Sequence, residues 1–215
     1  MINTLINADC LQVLPKIKSK TIDLILTDIP YGEVNRSSNG LRNLTKETAD
    51  HVTFNLEDFL SEVNRVCRGT HYIFCGTLQI STILYYFKQN KLSTRLCVWQ
   101  KSNPSPMNGQ HLWLSGLETC AFAKNNHATY HEHCKTGIWK YPCGRNKHHP
   151  TEKPLELMKY LINTSTNEGD LILDPCMGSG TIPLAAKQTG RNYIGIETDP
   201  TYYTTATTRL KQSIS

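Results

Sequence analysis

Two short stretches hold residue types that could act on a substrate together. The first is TDIPYG, residues 27–32, directly after the apolar run TIDLIL. It offers a carboxylate (Asp28), a proline that fixes the local backbone (Pro30) and an aromatic ring (Tyr31) within four positions. A carboxylate accepts hydrogen bonds from an amino group, and an aromatic face stacks on a planar base. Together they form a clamp for a flat ring with an exocyclic amine. The second stretch is LILDPCMGSGT, residues 171–181. Asp174 and Pro175 close an apolar segment, and Gly178 and Gly180 let the backbone turn tightly and approach a ligand. A helix opening near Thr181 would turn its free N–H groups toward that ligand.

The spacing narrows the ligand. No lysine follows the last glycine, so the phosphate-cradling pattern fails. Pro183 stands where a dinucleotide fingerprint needs its third glycine. The run NYIGIE ends on Glu197, seventeen residues after Gly180, a place from which an acid accepts bonds from ribose hydroxyls. A ribose without phosphates fits S-adenosylmethionine, and its positive sulfonium suits the carboxylates Asp9, Asp174 and Glu197.

The elements that must position these groups alternate. TIDLILT, HYIFCG, RLCVWQ, LETCAFAK, LILD and NYIGIE read as strands. The stretches holding Leu56, Phe59, Leu60, Val63 and Val66, then Ile80, Ile83, Leu84 and Phe87, then LELMKYLINTS and TIPLAAKQ, read as helices. Asn55 is an N-cap for the first and Gly190 a stop for the last. This pattern predicts an α/β fold with a mostly parallel sheet. No linker or repeat divides the chain, so a single domain spanning 1–215 is expected. Strand ends at the carboxyl edge of such a sheet are where ligands bind.

Four motifs in order give a family resemblance. DIPY at 28–31 resembles the [N/D/S]-P-P-[Y/F/W] motif of DNA amino-methyltransferases, and DPCMGSG at 174–180 resembles their S-adenosylmethionine loop. HPTEKP at 149–154 is similar to the segment preceding that loop, and WQK (99–101) with LETCAFAK (117–124) is similar to their middle strands. With the catalytic motif first and the cofactor loop late, the chain resembles the permuted, beta class. That resemblance implies a Rossmann-like seven-stranded sheet with helices on both faces. It implies transfer of a methyl group from S-adenosylmethionine to the exocyclic amine of a flipped-out base in double-stranded DNA. Asp28, Ile29, Pro30 and Tyr31 would be catalytic, with Ile29, in place of the family's first proline, acting through its carbonyl. Asp9, Cys10, Asp28, Thr151, Lys153, Asp174, Cys176, Gly178, Ser179, Gly180, Thr181 and Glu197 would bind the cofactor. In the family an Asp at the first motif position goes more often with adenine N6 than with cytosine N4, so adenine is expected and N4-cytosine is the alternative. An RNA or protein amino-methyltransferase, a nucleotide-binding oxidoreductase and a catalytically silent DNA-gripping module are the rival readings. The permuted order and the central insert weigh against the first, the missing third glycine and the presence of DIPY against the second, while Ile29 in place of the motif's first proline keeps the third open.

Residues 125–148 are polar, rich in histidine and rings, and without a clear period, the make-up of a target-recognition insert. Lys135, Lys140, Arg145 and Lys147, with Tyr130, Trp139 and Tyr141, mix cations and rings suited to phosphates and bases. Lys101 and, in the loop at 33–50, Arg36 and Arg42 are further DNA contacts. His127, His131, His133, Cys134, Cys143 and His148 match no standard zinc spacing, so no metal is expected. A homodimer and a cognate restriction enzyme are compatible partners.

The bulk composition permits all of this. The chain has 215 residues and a net charge of +5, mildly basic and compatible with a polyanion. Eight cysteines form no C-x-x-C pair and sit mostly in apolar runs, which points to a reducing compartment without disulfides. No stretch reaches membrane-spanning length and no signal peptide is legible, so a cytoplasmic protein is expected.

Overall fold

The computed structural model describes residues 2–31, 55–106, 109–144 and 152–212. Its strands are β1 (Thr4–Asn7), β2 (Ile22–Asp28), β3 (Cys67–Cys75), β4 (Ser93–Lys101), β5 (Leu117–Lys124), β6 (Ile138–Tyr141), β7 (Leu171–Asp174) and β8 (Asn192–Glu197). They form one sheet in the order β1-β8-β7-β2-β3-β5-β4-β6. Only β5 runs against the rest, pairing antiparallel with β3 and with β4. The α/β architecture with a mostly parallel sheet is therefore as expected. Among the described residues there are eight strands rather than seven. The extra one, β6, comes from the stretch read as an insert and lies at the sheet edge beside β4.

The central strands read as unbroken apolar runs because both faces of the sheet are covered. In β2, Ile25 faces one core while Leu24 and Leu26 face the other, and all three are fully buried. The first face packs on α1 (Cys10–Val13), α2 (Leu56–Val66) and α3 (Ile80–Gln89), through Val13, Phe59, Leu60, Val63, Ile83 and Phe87. The second packs on α4 (Leu155–Ser165) and α5 (Thr181–Gln188), through Leu157, Leu161, Ile182 and Ala185. Asn55 caps α2 as its sequence indicated, its side chain accepting from the N–H of Glu57.

The last helix, α6 (Pro200–Gln212), has no apolar period strong enough to read. It is rich in threonine, a poor helix former because its hydroxyl competes for backbone bonds. Here the hydroxyls of Thr204, Thr205, Thr207 and Thr208 each donate to the carbonyl four residues back. Asp199 caps the helix, accepting from the N–H groups of Thr201 and Tyr202. Tertiary packing of Ala206 and Leu210 supplies the rest.

Candidate functional site

The sheet gathers its acids on one edge. Asp28 is the last residue of β2, Asp174 of β7 and Glu197 of β8, and Asp9 follows β1. β2 and β7 are hydrogen-bonded neighbours, with Leu24 opposite Ile172 and Ile25 opposite Leu173. Adjacent strands lie about 4.8 Å apart, so the clamp and the glycine loop stand side by side.

Ile29 shows how the clamp is held. Its N–H donates to the Phe74 carbonyl at 3.1 Å, a ladder bond that a proline at this position could not make, and its side chain is buried in the first core. The Pro30 carbonyl accepts from the Gln79 side chain at 3.1 Å, whose oxygen accepts from the Gly76 N–H at 2.9 Å. Gln79 thus staples the clamp to the turn after β3, a role no motif announced.

The Asp28 carboxylate is already engaged. One oxygen accepts from the Tyr31 hydroxyl at 2.8 Å and the other from Lys153 Nζ at 2.5 Å. Lys153 also pairs with Glu118 at 2.9 Å, and Glu118 with Lys101 at 2.7 Å. Burial pushes the Asp28 carboxyl above its ordinary range, with Lys153 drawing it back and Glu118 raising it further. Burial opposes ionisation of Glu118 too, but Lys153 and Lys101 outweigh it and hold that carboxyl down at about 2. For Lys153, burial works against the charge, yet its two carboxylate partners keep the amine above the usual lysine range. Tyr31 is half-buried rather than exposed, its hydroxyl directed into this cluster.

Lys153, expected among the cofactor-binding residues, lies just ahead of α4 and pairs with Asp28, a residue of that same expected set. Lys101 pairs with Glu118 and lies 5.4 Å from the Trp99 ring, so it belongs to the same buried cluster and is not a free phosphate contact. Glu118 itself was missed. Its signal lay in LETCAFAK, where an acid opens an otherwise apolar strand.

The glycine loop is anchored from behind. Gly178 and Gly180 both have positive φ, 51° and 80°. Glu197 accepts from the Gly178 N–H and the Asp199 N–H, each at 2.8 Å, leaving lone pairs for a ligand hydroxyl. Arg209 of α6 donates to the Ser179 carbonyl and hydroxyl at 2.8 Å and to Glu152 at 2.7 Å, and the Thr181 hydroxyl donates to Glu152. The side chains of Ser179 and Thr181 therefore fasten the loop rather than standing free. Asp9 caps α1, accepting from the Leu11 N–H at 2.8 Å. Cys10 lies against Cys176, whose thiol is pushed up by that neighbour and by burial.

Asp174 is the outlier. It is fully buried, one oxygen accepts from the Cys176 N–H, and the other meets only the Thr27 hydroxyl, without the geometry of a full hydrogen bond. Burial pushes its carboxyl up to about 8. A poorly satisfied acceptor of this kind on the ligand edge is matched by a cationic ligand.

A DNA methylase family model matches residues 22–208. The chain belongs to this family of N6/N4 DNA amino-methyltransferases. It is 30% identical to the Type II methyltransferase M.HinfI of Haemophilus influenzae, over 98% of this chain and 69% of that protein. It is 29% identical to the Type II methyltransferase M2.LlaDCHI of Lactococcus lactis subsp. cremoris, over 97% and 89%. A crystal structure of the M1.HpyAVI–SAM complex superposes with a TM-score of 0.76 at 27% identity, over 96% of this chain and 99% of that one. The cytosine-N4-specific PvuII DNA methyltransferase shares the fold, with a TM-score of 0.77 at 18% identity. The methylase takes S-adenosylmethionine as cofactor and DNA as substrate. The carboxylates of Asp174 and Glu197 and the bare backbone of Gly178 suit a cationic nucleoside.

The expected DNA contacts divide. Lys135 and Lys140 are exposed. Trp139 is not on the surface: it packs in the second core, its ring 5.9 Å from Tyr72 and 6.2 Å from Phe74. IWKY alternates on β6, so Ile138 and Lys140 face out while Trp139 turns in. Arg36, Arg42, Arg145, Lys147, His148 and Thr151 lie outside the described residues. Among the described residues, no three His, Cys, Asp or Glu side chains gather as metal ligands, and no helix is long and apolar enough to cross a membrane.

Proposed function

We propose that this methylase transfers a methyl group to N6 of an adenine flipped out of duplex DNA at a specific site. The observation that carries the reading is the placement of Asp28 at the end of β2, beside the glycine loop at the end of β7. The adenine choice rests on the Asp at the first motif position.

An exocyclic amine is a poor nucleophile because its lone pair is delocalised into the ring. The cofactor, when bound, supplies an electrophilic methyl on a positively charged sulfur. Asp28 accepts one N–H of the amine, and the Ile29 carbonyl accepts the other. These bonds draw the lone pair out of the ring and stabilise the positive charge that grows on nitrogen. Lys153 and the Tyr31 hydroxyl hold the carboxylate in place. Because burial raises its pKa, Asp28 is also a competent acceptor for the proton the nitrogen sheds. Tyr31 offers its ring face to the base, offsetting part of the few kcal/mol that extrusion costs. With the cofactor bound, Asp9, Cys10, Cys176 and Glu197 would hold its adenosine and Asp174 its cationic part.

The test incubates the protein with unmethylated DNA and methyl-labelled S-adenosylmethionine, then identifies the labelled nucleoside by mass. Labelled N6-methyladenine that disappears with Asp28→Ala, while cofactor binding persists, is the expected outcome. Removing an interaction made mainly in the transition state should lower the rate at least about a hundredfold. Labelled N4-methylcytosine would keep the mechanism and overturn the adenine assignment. No labelled DNA would overturn the reading.

A further inference from the structure

The segment joining β4 to β5 carries the most exposed large ring among the described residues. Trp113 is fully exposed, and its neighbours Leu112 and Leu114 are exposed with it. A large apolar side chain left in water forgoes burial worth about 2–3 kcal/mol, and here three stand in a row. Their footing is fixed. The Lys101 N–H donates to the Gly116 carbonyl at 2.8 Å, and the Gly116 N–H to the Leu114 carbonyl at 2.7 Å.

The strand register puts this group on the catalytic edge. Thr119 pairs with Cys75, the last residue of β3, and Phe74 pairs with Asp28. Glu118, which closes the segment, touches Lys153 and the Tyr31 hydroxyl. Trp113 is five residues from Glu118, a reach of at most about 17 Å, comparable with the ~12 Å width of a DNA major groove. A duplex with one base in the Asp28 clamp would lie along this same edge of the sheet. From Ser102 to Leu117 there is no Asp or Glu, while Gln110, His111 and Ser115 can hydrogen-bond phosphate or sugar. An acid-free segment with an apolar tip fits a polyanion whose interior is a stack of flat rings.

We propose that Trp113 enters the DNA base stack at the position the target base vacates, flanked by Leu112 and Leu114, and so holds the extruded state open. Apolar wedges between base steps are a general means of unstacking DNA, and base–aromatic stacking is worth about 1–3 kcal/mol. Trp113 is thus a positioning residue for extrusion and takes no part in the transfer chemistry. This rests on the methyl-transfer reading above.

The test compares wild type, Trp113→Ala and Trp113→Phe on native and heat-denatured unmethylated genomic DNA, with labelled S-adenosylmethionine. Denatured DNA needs no extrusion, so Trp113→Ala should lose about tenfold or more on the duplex and much less on single strands, with Trp113→Phe restoring most of the duplex rate. Equal losses on both forms, or none, would overturn the proposal. A second readout does not need turnover. Trp99 and Trp139 are buried, so duplex binding should quench the emission of Trp113, and Trp113→Phe should remove that quench. Duplex binding seen by anisotropy of a labelled oligonucleotide without any change in emission would overturn the wedge while leaving methyl transfer intact. A drop in oligomeric state with Trp113→Ala, without a duplex-specific defect, would assign the tip to a second copy of the chain instead.

Discussion

At the scale of single residues, the site is a set of carboxylates given different tasks by their surroundings. Glu118 lies between two lysines and stays ionised. Asp174 is buried, one oxygen poorly satisfied, and its carboxyl is pushed up to about 8 by that burial, so without ligand it holds a proton at neutral pH. A cationic ligand favours the ionised form, so cofactor binding should release a proton. S-adenosylmethionine affinity should rise with pH up to about 8, approaching tenfold per unit, then level off. Asp174→Asn should bind more weakly and lose this dependence, which titration calorimetry across pH would reveal. The stability of the free protein carries the same sign. Folded Asp174 binds a proton that the unfolded chain has lost above about 4, so its contribution is full below that pH and disappears as pH rises through 8. The melting temperature of Asp174→Asn should gain on wild type between pH 5 and 8.5.

Elements deliver these residues, and their ends matter more than their middles. Gly180 caps α5, has a φ of 80° and lies so close to α6 that an added Cβ would fall 2.7 Å from the Ala206 Cβ. Gly180→Ala should therefore cost about 2–4 kcal/mol, from the left-handed backbone and from the collision together. Gly169 has a similar φ of 82° with nothing within 4 Å of the added carbon, and Gly169→Ala should cost only about 1–2 kcal/mol. Urea denaturation of the two variants separates backbone strain from helix contact. The glycine turn was legible because its residues are local and chemically marked. α6 was not, since its threonines carry little helical signal and its stability comes from Asp199 and from packing on α5 and β1.

Across the whole molecule, one arginine couples the C-terminal helix to the cofactor edge. Arg209 binds the glycine loop and Glu152 at once, with both side chains of the ion pair largely buried. Arg209→Ala removes the cationic partner of a largely buried Glu152, which keeps its bond from the Thr181 hydroxyl, and should destabilise the protein by about 3 kcal/mol. S-adenosylmethionine at a hundredfold its Kd should stabilise wild type by about 2.7 kcal/mol. Because the loop that grips the cofactor would be loosened, the variant should show a smaller thermal shift at the same ligand concentration. An unchanged shift would show that the loop keeps its shape without α6.

Sequence alone determined the α/β class, the strand ends that carry Asp28, Asp174 and Glu197, and the cofactor, because each depends on a few neighbouring residues and a short period. It could not decide which distant side chains meet. Glu118 and Lys153 reach Asp28 from 90 and 125 residues away, since β3 separates β5 from β2 in the sheet while α4 crosses to the same edge. Trp139 turned inward because Tyr72 and Phe74 offered it a core beneath an edge strand. Sheet order and register fix such meetings, and neither is written in any local pattern of residues.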